Sequence, residues 1–246
     1  MITLPLRNLF RRRVAPRVIC VLGMHRSGTS CLAGSLESWG VFLGDVWRQN
    51  AHNAKGSRES RAIMTLHDAV LAANGGSWFN PPSGAEWNGE QRRELGQIIT
   101  SFDQHSCWGF KDPRTLFVLD AWQEALPGLE FIGIFRHPIA VARSLQARDS
   151  VRFPDLIDGV KLWTQYNRRL LEFRATTEFP IVSFDADGDE LSAKLESLRQ
   201  QLRLPKPQDS GTFFDSTLRH HATADEGAEL PEETLAVWRE LRRFGG

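Results

Sequence analysis

Several things are scarce in this chain, and each scarcity removes a class of function. Long apolar runs are missing. Nothing approaches the roughly 20 residues that cross a bilayer, so no integral membrane segment is expected. An excess of one charge is missing too: Lys+Arg and Asp+Glu each total 30, for a formal net charge of zero. That argues against nucleic acid as a partner held by bulk charge. Cysteine is sparse, with three in 246 residues. Cys20, Cys31 and Cys107 are odd in number and lack metal-ligand spacing, so reduced, buried thiols in a cytoplasmic compartment are the simplest account. No carboxylate pair is spaced to hold a metal, and no internal repeat or low-complexity segment interrupts the chain.

What is present is an ordinary globular composition, 41% hydrophobic, at a length that suits one domain. Residues 1–16 read as a basic N-terminal arm and 17–246 as a single domain. In the arm, Arg11-Arg12-Arg13 follow a few apolar residues, the reverse of a secretory signal's order. A solvated tail is expected there, with contact to a membrane surface as the alternative. Eight tryptophans are many for this length; most are expected in the core and some along a ligand cleft.

Short apolar runs at Arg17–Leu22, Cys107–Phe110, Phe131–Phe135 and Pro180–Phe184 read as strands. Between and after them, helical spacing runs to Ser38, from near Ser57 to Gly75-Gly76, and over Gly89–Phe102. It resumes over Leu116–Leu126, Pro138–Arg148, Leu156–Phe173 and Asp189–Leu202, and again from Pro231. This alternation predicts an α/β chain with a P-loop-like three-layer fold, a central parallel sheet flanked by helices. In such sheets ligands sit beyond the carboxyl ends of the strands. Three predicted strands end in loaded loops: Gly23 to Ser30, Lys111 to Arg114, and Arg136 to Ser144. Parallel order brings these loops to one edge as a polar, cationic crevice.

The first loop is built to hold an anion. A strand, a glycine turn and a helix N-terminus converge backbone N–H groups on one point and add a partial positive charge. Gly23 and Gly28 keep the spacing of the nucleotide-triphosphate loop, G-x-x-x-x-G-K-[ST]. The lysine is missing: Thr29 stands in its place, and the cation is Arg26, inside the loop. A phosphate-like group can still be held by N–H groups and by the Thr29 and Ser30 hydroxyls.

Gly23-Met24-His25-Arg26-Ser27-Gly28-Thr29-Ser30, Lys111-Asp112-Pro113-Arg114 and Arg136-His137-Pro138 followed by Ser144 together resemble a sulfotransferase using 3′-phosphoadenosine 5′-phosphosulfate (PAPS). The nearest likeness is to bacterial members, and a more distant one is to tyrosylprotein and carbohydrate sulfotransferases. It runs with gaps from about Val18 to Phe184 and extends to a late segment, Phe213–His220. The resemblance implies that Gly23, His25, Arg26, Ser27, Gly28, Thr29 and Ser30 bind the 5′-phosphosulfate, with His25 structural rather than catalytic. It implies that Arg136 and Ser144 bind the 3′-phosphate, and that Lys111, with Arg26, stabilises the transferring group. No metal is required. Asp112 is expected to orient its loop or pair with Arg114.

For the base that takes the acceptor's proton, Glu59 is favoured, because Asn53–Glu59 resembles a segment of bacterial relatives that ends in an acid. Asp45 and His67 are the alternatives, and Glu59 as an ordinary first-turn carboxylate is a third account. The acceptor is expected to be a hydroxyl of a carbohydrate or glycolipid, with Trp78, Phe79 and Trp87 either stacking on it or filling the core. A P-loop kinase of a small molecule and a non-catalytic nucleotide- or glycan-binding module stay open beside this reading.

Overall fold

The computed structural model describes residues 15–49, 56–207 and 229–245. Most of the N-terminal arm, Asn53–Lys55 and the late segment Phe213–His220 lie outside the described residues. The chain alternates β1 (Arg17–Leu22), α1 (Thr29–Ser38), α2 (Arg61–Ala73), α3 (Gly89–Ser101) and β2 (Cys107–Lys111). A 3-10 turn, Pro113–Phe117, leads into α4 (Leu119–Ala125), β3 (Leu129–Phe135), α5 (Pro138–Arg148) and α6 (Leu156–Thr176). Next come β4 (Ile181–Ser183), α7 (Gly188–Gln201) and α8 (Glu232–Gly245).

The four strands form one all-parallel sheet in the order β2-β1-β3-β4. Side-chain alternation divides the core into two halves. Ile19 and Val21 of β1, with Ile132 and Ile134 of β3, pack against Leu32 and Leu36 of α1 and Leu195 and Leu198 of α7. Cys20 and Leu22, with Phe131 and Phe135, face the larger core with Leu66 of α2, Trp122 of α4, Trp163 of α6 and Leu241 of α8. Helices on both faces of a parallel sheet make the three layers expected of the sequence. Beyond β2, Phe42 adds a one-residue parallel bridge to Trp108. Among the described residues no helix is long and apolar enough to cross a membrane.

Three local differences bear on the site. The helix expected from Ser57 begins at Arg61, because Ser60 is engaged in an antiparallel bridge with Val46. Glu59 therefore precedes the helix, and the first turn of α2 contains no acid. Pro113 opens a 3-10 turn rather than a loop, with the Asp112 side chain accepting from the Arg114 main-chain N–H. All three cysteines are free, but only Cys20 is buried; Cys31 and Cys107 are half-buried.

The chain runs from β1 to β2 on one side and from β3 to β4 on the other, so the connections diverge between β1 and β3 and open a crevice at their carboxyl ends. Two glycines let the loop after β1 form there. A Cβ on Gly23 would stand 2.4 Å from the Ile134 carbonyl oxygen. Gly28 has φ 90°, and a Cβ there would meet the Phe184 ring at 2.4 Å. Gly28→Ala should lower stability by about 1–3 kcal/mol through backbone strain and overpacking, read as a lower urea midpoint with unchanged slope.

Candidate active site

The loop after β1 carries strain and charge together. Arg26 adopts φ 66°, a left-handed conformation that costs a non-glycine residue roughly 1–2 kcal/mol. Its Nε donates to Ser144 Oγ of α5 at 2.7 Å. Burial, then the neighbouring Arg148 and Arg136 charges, lower the Arg26 guanidinium from its usual pKa. Both neighbouring cations therefore act on Arg26. Arg136 leaves β3 with its main-chain carbonyl accepting from Trp163 Nε1 at 2.8 Å and its guanidinium over Phe184, the ring that packs on Gly28. α1 starts at Thr29 behind Gly28, with no side-chain cap and no acid in its first turn. His25 Nε2 and Ser27 Oγ are buried without a hydrogen-bond partner. Burial holds the His25 imidazole well below its usual pKa, with Arg114 adding to the effect, so His25 is neutral.

Lys111, the last residue of β2, meets Glu59 across the crevice. Lys111 Nζ donates to Glu59 Oε1 at 2.7 Å, with the side chains 2% and 15% exposed. Main-chain bonds hold the Glu59 segment: Trp47 N–H donates to the Glu59 carbonyl at 3.1 Å, and Arg58 N–H to the Trp47 carbonyl at 3.0 Å. Ser30 Oγ donates to the Ser57 carbonyl at 3.0 Å, which ties the start of α1 to the same segment.

Behind Lys111 lies a buried polar brace. Trp122 Nε1 donates to His67 Nε2 at 2.8 Å, so the imidazole proton sits on Nδ1 and is given to Asp112 Oδ2 at 3.0 Å. Asp112 Oδ1 accepts from Arg114 Nη1 at 2.9 Å, and Arg114 Nε donates to Asp68 at 2.5 Å. Burial opposes ionisation of Asp112, but Arg114 and the His67 hydrogen bond outweigh it and hold the carboxyl far below the usual range. Burial likewise opposes the charge on Arg114, and Asp112 and Asp68 override it and raise its pKa. His67 is fully buried with both nitrogens engaged, so it is part of the scaffold rather than a base facing substrate. Asp112 pairs with Arg114 as expected.

These elements enclose a cavity of about 320 Å³. Its walls bring together the predicted residues His25, Arg26, Thr29, Ser30, Glu59 and Lys111. Arg136 and Ser144 are not among its lining residues; Ser144 joins it through Arg26. Asp45 is exposed and does not line the cavity either. Of the aromatic candidates Trp78 lines the cavity, Trp87 is buried in the core, and Phe79 is exposed beneath Arg152. Pro113 and Arg114, from the second loaded loop, also line it, and Trp47, Ser57, Met64 and Arg148 complete the wall without having been singled out for it from sequence. For Arg148 a signal existed: it stands four residues after Ser144, on the same helix face.

The chain matches the family model described as "Sulfotransferase family" over residues 16–208. No curated protein sequence matches it significantly. Among solved structures it is similar to the sulfotransferase domain from the Synechococcus PCC 7002 olefin synthase. That likeness has 16% identity and a TM-score of 0.57, across 92% of this chain and 95% of that one. It is also similar to the sulfotransferase STF1 from Mycobacterium tuberculosis H37Rv, at 14% identity and TM-score 0.48, across 78% of this chain and 68% of that one. At such identity the first likeness speaks for the fold alone.

Replacing Asp112 by Asn should cost about 3–5 kcal/mol at neutral pH, because Arg114 is left buried without its inner partner. A carboxyl with a depressed native pKa stabilises above its unfolded value, near 4, and that contribution fades as pH falls below it. Urea titrations at pH 7 and pH 3.5 should therefore show a large gap between wild type and Asp112→Asn that narrows in acid.

Proposed function

Since the chain belongs to the sulfotransferase family, we propose that it moves a sulfuryl group from PAPS to an acceptor hydroxyl on a carbohydrate or glycolipid. The observation that carries this reading is one cavity shared by a cationic glycine loop, reaching Ser144 through Arg26, and a carboxylate–lysine pair, Glu59 with Lys111. The residues fit a doubly phosphorylated nucleotide. Arg26, buried and close to the charge of Arg136, an uncapped helix start and two buried polar atoms without partners all favour an anion at the loop. PAPS, when bound, supplies the activated sulfuryl group and a stable leaving phosphate.

The chain's own residues do the rest. Loop N–H groups, that of Ser30 among them, and the Thr29 hydroxyl would hold the 5′-phosphate end, and Arg136 with Ser144 the 3′-phosphate. Glu59 accepts the proton of the attacking hydroxyl as the new oxygen–sulfur bond forms and the sulfur–phosphate oxygen bond breaks. Lys111 and Arg26 donate to the leaving oxygen as its charge grows. The Glu59–Lys111 bond couples these events: as Glu59 gains a proton its hold on Lys111 weakens, and the ammonium is released toward the developing anion. Free cysteines support a cytoplasmic setting as part of the same reading.

Isothermal titration without magnesium should show tighter binding of PAP, the desulfated donor, than of ATP or GTP. Arg26→Ala and Arg136→Ala should each weaken PAP by about 10- to 100-fold. Lys111→Ala should cut turnover on the order of 100- to 1,000-fold with less effect on PAP affinity, and Glu59→Gln by a similar factor. A magnesium-dependent preference for ATP would favour a kinase, and PAP binding with no sulfate transfer to any acceptor would favour a binding module.

A further inference from the structure

One cation in the cavity wall lacks a counter-charge. The lining carries Arg26, Lys111, Arg114 and Arg148 against a single carboxylate, Glu59. Lys111 is paired with Glu59, Arg114 with Asp68 and Asp112, and Arg26 donates to Ser144. Arg148 has no ion pair among the described residues; its guanidinium lies over the Trp78 ring, 5.6 Å from the centroid, a ring it shares with Arg152 at 5.5 Å, which is itself paired with Asp149.

Trp78 is a fixed platform for that arginine. The buried Tyr166 hydroxyl donates to its carbonyl at 2.7 Å, and the His25 ring packs on it with centroids 4.8 Å apart. Trp47, 39% exposed, is a second aromatic wall of the same cavity. A guanidinium resting on indole keeps its planar N–H fork available for a carboxylate or phosphate. The neighbouring donor is itself strongly anionic. An acceptor of like charge can approach it only if a cation screens the two, whereas a neutral acceptor needs no such residue.

Building on the sulfuryl-transfer reading, we propose that the acceptor is anionic: a sugar bearing a carboxylate or phosphate, gripped by Arg148, its attacking hydroxyl toward Glu59. The transfer itself is unchanged. Arg148 selects which hydroxyl-bearing molecule is presented to it.

The probes are p-nitrophenyl β-D-glucuronide and p-nitrophenyl β-D-glucoside, which differ in one carboxylate, titrated into the full chain saturated with PAP. The glucuronide should bind about tenfold or more tightly than the glucoside, and added salt should erode the difference. Arg148→Gln should abolish the preference while changing PAP affinity by less than about threefold. Equal affinity for the two probes, or binding of neither, overturns the anionic acceptor while PAP binding stands. A large loss of PAP affinity in Arg148→Gln assigns that arginine to the donor and overturns it as well. Failure of the wild-type chain to bind PAP sinks the sulfuryl-transfer reading, and this proposal with it.

Discussion

The site depends on one buried carboxylate. Asp112 is 1% exposed and directly follows Lys111 at the end of β2. Its partners tie it to α2 twice, through His67 and through Arg114 to Asp68. Glu59 stands just ahead of that helix. The separation between Glu59 and Lys111 is thus set by two rigid elements clamped together behind the cavity, not by the reach of two flexible side chains. Such a clamp tolerates no missing member, because each buried polar group is stabilised only by the others.

On the other wall cations gather: Arg26 lies close to Arg136 and Arg148, with Asp185 3.9 Å from Arg136. Arg26 is strained in its backbone and disfavoured by burial and by its arginine neighbours. The packing that forces this arrangement is ordinary: Gly23 against β3, Gly28 against Phe184, Trp163 holding the carbonyl of Arg136. On the proposed reading, an anion held at the loop would offset that cost.

Much of the architecture was legible because its signals are local. Continuous apolar runs marked β1 and β3, Pro138 marked the start of α5, and Gly75-Gly76 the end of α2. The loop motifs were legible because parallel strands must deliver them to a common edge. The start of α2 was not, since Ser57–Ser60 looks as helical as the residues after it; only the pairing with Val46, distant in sequence, holds it extended. The place of His67, an alternative for the base, was hidden for a related reason: it was decided by Trp122 and Asp112, residues about 50 positions away in the chain. Trp47 carried no periodic or motif signal at all. The segment Phe213–His220 lies beyond the described residues, so its expected kinship finds neither support nor correction.

The margins of the sheet have a bearing on how the protein behaves in a crowded solution. A parallel sheet of four strands has two flanks whose main-chain groups are templates for unwanted pairing. Here one flank is occupied by Phe42, which takes the Cys107 carbonyl and the Gly109 N–H for itself. The other ends in β4, only three residues long, with α8 lying nearby and Gly245 close against the Ser183 main chain. Among the described residues neither flank offers a long straight ladder to a neighbouring molecule. Resistance to fibril-like association is thus built into the same sheet that delivers the loops, without adding surface charge to a chain whose charges already cancel.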